Sequence, residues 1–193
     1  MARVNFLGFI AGALIIYLVF FDAPWWTLSA GEALSLQVSP FNITMVVLNS
    51  PAEVPVIYYI TLAAKIVALA AAVAFFVGSA AGGKEWSRRV IGFAWIKITS
   101  IVVGLFIVLA IISYGSTYIG QYLSQYLAMS ASYNIPLMGE GHFEITYGSF
   151  SISANVLTSF GQNSMIAAAA VALSIVTRIY HGKIEFEKAW RWE

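Results

Sequence analysis

The stretch VIYYITLAAKIVALAAAVAFFVGSA, residues 56–80, contains one charged residue, Lys65, and is otherwise apolar or small. A helix rises about 1.5 Å per residue, so roughly 20 residues cross the ~30 Å hydrocarbon core of a bilayer. Lipid is the solvent that suits such a run, and inside lipid only a helix satisfies the backbone of an isolated segment. Three further runs read the same way, at residues 4–21, 90–114 and 164–180. The expected fold is therefore a membrane all-α bundle of four transmembrane helices in a single domain, 1–193. Long connections cover 22–55 and 115–163, and a tail covers 181–193.

Composition agrees. The chain is 60% hydrophobic and 10% charged, against roughly a quarter charged in soluble domains. The first run follows Arg3 and has small residues downstream at Ser29, Ala30 and Ala33, as a secretory signal would. It is read here as a retained first span.

Orientation follows from the cations. Arg3, Lys84, Arg88, Arg89, Arg178, Lys183, Lys188 and Arg191 flank one side of the spans, whereas the two long connections hold only acidic charges: Asp22, Glu32, Glu53, Glu140 and Glu144. By the positive-inside rule both termini and the Lys84 link are cytoplasmic, in a multi-pass protein of the plasma (cytoplasmic) membrane. Trp25, Trp26, Trp86, Trp190 and Trp192 fall near span ends, where indole rings anchor at headgroup level.

The two long connections alternate apolar and polar residues. Residues 33–39 and 41–47 read as two short strands around Pro40, and 142–156 reads as strand with a bend or bulge at Gly148. Isolated hairpins are marginal, so the two connections are expected to pair into one small extracytoplasmic antiparallel sheet. Tyr114, Tyr118, Tyr122 and Tyr126 recur every four residues, which carries the third helix about three turns past its span. That stripe is either core beneath the sheet or an exposed contact surface for a partner, with Tyr118, Tyr122 and Tyr126 as the contact residues.

Chemistry-bearing groups are few. Lys65 lies mid-span, where a charge costs at least roughly 2.5–3.5 kcal/mol, and no span contains an acid to pair with it. Either it serves a function, or it snorkels toward Asp22 or Glu53, or it gives up its proton on burial. Lys97 is shallower and can snorkel to the headgroups. Small residues in the second and fourth spans (Ala63, Ala64, Ala68, Ala72, Gly78; Ser164, Ala167–Ala170, Ala172, Ser174) favour close helix packing and make those two helices expected neighbours. Glu140, His142 and Glu144 share a strand face, as metal ligands or, more simply, as a solvated acidic face. Asn42-Ile43-Thr44 is a glycosylation sequon. The tail mixes aromatic and charged residues, a pattern that fits either the headgroup layer or a soluble protein.

Cysteine is absent, which excludes disulfides, thiolate metal sites and cysteine nucleophiles. His142 and His181 fall on opposite sides of the expected membrane, which argues against a bis-histidine haem. No phosphate loop, no nucleophile beside a base and no basic aromatic patch for nucleic acid is visible. No cofactor, metal or catalytic residue is expected.

Four spans, cytoplasmic termini, the aromatic pair in Pro24-Trp25-Trp26 just after the first span, a protruding third helix and a β-rich outer layer resemble the claudin and peripheral-myelin-protein group of tetraspan proteins. The glycine-leucine-tryptophan and paired-cysteine signature of that group is missing, and the second outer loop is the longer one, opposite to claudins. The resemblance implies a shared way of presenting a small sheet above four helices. The leading expectation for function is a non-enzymatic membrane scaffold whose outer layer contacts other membrane or cell-surface proteins, or a second copy of itself. The alternatives are an accessory subunit of a larger respiratory-type membrane enzyme and a small anion transporter or channel using Lys65 and Lys97.

Overall fold

A computed structural model describes residues 4–21, 23–82, 84–127, 130–147 and 150–189. It contains four helices and one antiparallel sheet. The helices are α1 (Phe6–Phe20), α2 (Pro55–Ala80), α3 (Glu85–Leu127) and α4 (Gln162–Ala189). Strands β1 (Trp26–Ala30), β2 (Leu34–Val38), β3 (Ile43–Val47) and β4 (Ser50–Pro51) fall between α1 and α2 in the chain; β5 (Ser130–Asn134), β6 (Gly139–Tyr147) and β7 (Phe150–Phe160) fall between α3 and α4. Three helical stretches, Pro55–Ala80, Glu85–Ser116 and Gln162–Gly182, are long and apolar enough to cross a membrane. Helix α1 has 15 residues, about 22 Å of rise. The chain divides into two compact units: a helix unit of Met1–Asp22, Tyr59–Val103 and Asn163–Glu193, and a sheet unit of Ala23–Tyr58 and Gly104–Gln162.

In the helix unit, contacts concentrate on small residues. Helix α1 buries Gly8, Ala11, Gly12, Ile15, Leu18 and Val19, the three-to-four spacing of one helix face. A Cβ on Gly8 would collide with Ser79 Oγ and lie 3.2 Å from Thr177 Cγ2; one on Gly12 would lie 3.0 Å from the Phe76 ring and 3.2 Å from the Ala72 carbonyl. These two glycines four apart let the backbone of α1 approach α2 closely, the packing on which helices in lipid rely. Backbone Asn5 N–H donates to Ser79 O at 3.1 Å, so α1 runs antiparallel along α2 from Asn5–Ser79 to Gly12–Ala72. Asn5 Nδ2 donates to Thr177 O at 3.3 Å, and Asn163 Nδ2 to Phe21 O at 2.9 Å, fastening both ends of α1 to α4. Gly78 seats Ile91, whose Cγ1 would be 2.7 Å from a Cβ there; Arg178 Nη1 donates to Arg88 O at 3.3 Å. The contacts thus form a ring in which α2 and α4 each pack on α1 and α3. The glycine pair of α1 joins the small residues expected to pack on α2 and α4, of which Ala68, Ala72, Ala167 and Ala170 are fully buried.

The sheet has strand order β4-β3-β2-β1-β7-β6-β5, and every neighbouring pair is antiparallel. Pairing of the two connections, as expected, occurs between β1 and β7, with Trp26 opposite Phe160 and Leu28 opposite Thr158. Four strands form before α2 where two were expected, and β5 is a further addition; the Gly148 bend lies outside the described residues. One face is apolar: Trp26, Leu28, Ala30, Val38 and Val156 form a buried cluster with Leu109 of α3, joined by Leu105, Phe143 and Phe160. Helix α3 therefore covers one face of the sheet, and Ser113 Oγ donates to Ile135 O at 2.7 Å. A two-residue turn joins β3 to β4 with Leu48 at φ 48° and Asn49 at φ 62°, the geometry of a tight hairpin whose twist suits the strands.

The third helix extends to Leu127, as the tyrosine spacing predicted, and the fourth runs on to Ala189, so most of the expected tail is helical. Trp25 and Trp26 are corrections. They are 2% and 1% exposed, hence core residues of the sheet unit and not rings offered to headgroups. Trp25 meets the edge of Phe41 at 5.7 Å between ring centroids, and Trp26 Nε1 donates to Leu137 O at 2.8 Å. Their β-strand role was hidden because two tryptophans after an apolar run also fit the interfacial pattern.

Candidate interaction site

Strand alternation places one set of side chains against α3 and the other outward. The outward set is mostly polar, with Val46 and Leu157 among it. Register puts Thr44, Gln37, Thr27 and Ser159 in one cross-strand row, Val46, Ser35, Ser29, Leu157 and Glu140 in the next, then Asn155 beside His142 and Ser153 beside Glu144. Several of these groups bond one another. Thr27 Oγ1 and Ser159 Oγ are 2.8 Å apart, and Ser151 Oγ donates to Glu144 Oε1 at 3.3 Å. Such cross-strand pairs contribute roughly 0.2–1 kcal/mol each, enough to hold the rows in place without hiding them.

Glu140, His142 and Glu144 emerge from one face, as their spacing requires. His142 Nδ1 lies 3.3 Å from Asn155 Oδ1, a pairing in which the ring N–H must donate because a carboxamide oxygen only accepts. Its Nε2 is 4.0 Å from Glu144 Oε2. Among the described residues no group of three His, Asp or Glu side chains is placed to hold a metal. This is a hydrogen-bonded, acidic, solvated surface.

The edges of the sheet are blunt. Strand β4 is two residues long and ends in Pro51, while β5 is five residues long and is followed by Ile135-Pro136. Proline offers no donor and short edges offer little template. Neither edge is a ready template for an added strand.

Tyr114, Tyr118 and Tyr122 are 71%, 72% and 62% exposed. The stripe is therefore surface and not core, which corrects the simpler expectation. Leu109 supplies the reason: it is 1% exposed beneath the sheet, and Tyr118, nine positions on, stands about 180° round the helix from it. Tyr126 belongs to α3, but its side chain lies outside the described residues.

The two spanned lysines have different surroundings. Lys65 belongs to the row Thr61, Lys65, Ala68, Ala72, Phe75, Ser79 on α2; every other member is buried, and Lys65 is half-buried with no ion pair or hydrogen bond among the described residues. Glu53 is not its partner, and Asp22 lies outside the described residues. Lys97 is exposed, with Nζ 5.7 Å from the centre of the Phe93 ring. Trp86 is 43% exposed, with Lys84 Nζ 6.0 Å from the centre of its ring. Trp190 and Trp192 lie outside the described residues. Asn42 is exposed at a turn whose backbone bonds to Ser39.

The small-residue face expected on the fourth span, with Ala167, Ala170 and Ser174, is part of a longer row. Asn163, Ala167, Ala170, Ser174, Thr177 and His181 form a fully buried row on α4, spaced three and four apart. Ser87 Oγ donates to Lys84 O at 2.6 Å and lies 2.7 Å from His181 Nε2. With the hydroxyl proton committed to the carbonyl, His181 Nε2 is the donor of that pair. The row was legible as small and polar residues at helical spacing, but His181 had been counted with the tail.

Comparison with protein families finds none that matches this chain, and comparison with curated proteins finds no relative.

Proposed function

We propose that this chain is a non-enzymatic scaffold of the plasma membrane, crossing it four times with both termini in the cytoplasm and displaying the seven-stranded sheet outside for contact with other proteins. The observation that carries the reading is a seven-stranded sheet that α3 covers on one face, while the described side chains of the other are mostly polar and partly bonded to one another. Helix α1 is the fourth crossing in this reading, because it lies antiparallel on α2 over Asn5–Ser79 to Gly12–Ala72. Cross-linking in native membranes, read by mass spectrometry, is expected to recover partners through Ser153 or Asn155. Recovery of nothing but uncoupled monomer would remove the scaffold reading.

A second reading, accessory subunit of a larger membrane complex, is favoured by Lys65. A cation on the inward row of a spanning helix, with no ion pair among the described residues, fits a carboxylate brought by a partner helix. Lys65→Leu then lowers the yield of any complex isolated with mild detergent while the chain itself still folds. Equal yields would discard this reading.

A further inference from the structure

The chain has six asparagines, Asn5, Asn42, Asn49, Asn134, Asn155 and Asn163, and of these Asn42 alone is followed two positions on by Ser or Thr, in Asn42-Ile43-Thr44. Asn5 and Asn163 are buried in the helix unit. The single acceptor triplet falls instead on an exposed turn of the sheet unit.

The turn holds that triplet outward. Pro40 and Phe41 form a two-residue loop between β2 and β3, and Phe41 is buried against Trp25. Backbone Ser39 N–H donates to Asn42 O at 2.8 Å, and Asn42 N–H donates to Ser39 Oγ at 2.8 Å, so the main chain of Asn42 is fixed by the last rung of the ladder. Val38 faces Ile43 and Gln37 faces Thr44. Side chains alternate along a strand: Ile43 packs against the buried cluster, while Asn42 and Thr44 share the outward face and are both exposed.

A carboxamide nitrogen is a poor nucleophile, its lone pair being spread into the carbonyl, so sugar transfer to asparagine needs an enzyme that also recognises the hydroxyl two residues on. A glycan is bulky and hydrated, and its root must lie at the surface. Asn42 and Thr44 meet both conditions. We propose that Asn42 carries an N-linked glycan, an inference that rests on the orientation proposed above. Transfer forms a bond from Asn42 Nδ2 to the anomeric carbon of a lipid-phosphate-linked sugar donor. It breaks that carbon's bond to the phosphate oxygen, and the lipid phosphate and one carboxamide proton leave. The glycan stands on β3, three strands from β7 or about 14 Å, so it borders Ser153 and Asn155 without sitting on them.

The test is mass spectrometry of the full chain purified from the membranes of its own cells. Peptic peptides containing Asn42 are expected to exceed their sequence mass by whole sugar residues. Asn42→Gln and Thr44→Ala are each expected to remove that increment, and Thr44→Ser to retain it, because the hydroxyl is kept. Both side chains are exposed, so the variants keep the circular dichroism of the parent. Asn42 peptides at their sequence mass, or an increment that survives Asn42→Gln, overturn the glycan. The chain has no native cysteine, so Ser153→Cys reports the side of the sheet independently. Labelling from outside by an impermeant maleimide, with Asn42 unmodified, discards the glycan alone. Labelling only after the membrane is opened discards the orientation, and the glycan with it.

Discussion

The helix unit and the sheet unit differ in how completely they satisfy their buried polar groups. In the sheet unit the buried donors have acceptors: Trp26 Nε1 reaches Leu137 O, and Thr158 Oγ1 reaches Pro136 O at 2.9 Å and Gly139 O at 3.2 Å. In the helix unit, Asn5 Oδ1, Ser79 Oγ, Thr99 Oγ1 and Thr177 Oγ1 are buried without a hydrogen-bond partner. Every buried side-chain oxygen without a partner among the described residues belongs to that unit. The difference teaches where size matters and where polarity does. Near Gly8 the hydroxyl side chains are selected for being small enough to admit a neighbouring backbone; in the sheet, polar atoms hold loops to strands and are chosen for their bonds.

The sharpest break is Trp26→Ala. The ring is 1% exposed at the centre of the sheet core. Truncating a buried aromatic costs about 3–5 kcal/mol, and the Leu137 carbonyl loses its donor as well. Thermal unfolding followed by strand circular dichroism is expected to show early loss of the sheet while helical signal persists. Simultaneous loss of both would mean that the two units unfold as one.

Next in size is Gly8→Val. The new side chain collides with Ser79 Oγ and crowds Thr177 Cγ2; overpacking of this kind costs about 1–3 kcal/mol. Here the helix unit is expected to loosen first, seen as faster amide exchange in α1 with strand amides unchanged. Protection of α1 equal to that of the parent chain would show that Gly8 is not a contact point.

Hydropathy exposed α2 and α3 in the sequence because their burial in lipid depends on composition alone, and the tyrosine spacing announced the extension of α3. The sheet was only half legible. Strands β2 and β3 alternate cleanly, but β1 was masked by Trp25-Trp26, a pair equally suited to a headgroup layer, and β5, Ser-Ala-Ser-Tyr-Asn, holds no β-branched residue and little apolar pattern. The exposed face of α3 was undecidable by period, since a four-residue repeat fixes which side chains share a face and says nothing about which face Leu109 will bury. Gly8 and Gly12 were there to be read as a close-approach pair; the alanine-rich spans drew attention away from them.

The smallest effect has the opposite sign. Thr177 is 0% exposed, its backbone carbonyl accepts from Asn5 Nδ2, and its own hydroxyl has no partner. An unsatisfied buried hydroxyl costs about 1–3 kcal/mol, and a same-shaped apolar replacement removes that cost. Val is such a replacement: it keeps the methyl that sits beside Gly8 and exchanges the oxygen for a second methyl. Thr177→Val is therefore expected to raise the unfolding temperature slightly, by up to about 1 kcal/mol of added stability, whereas the matching change Thr158→Val in the sheet unit, where the hydroxyl bonds to two carbonyls, is expected to lower it. Equal destabilisation by both changes would mean that Thr177 Oγ1, Ser79 Oγ and Asn5 Oδ1 share a bound water, and the rule separating the two units would then concern packing alone.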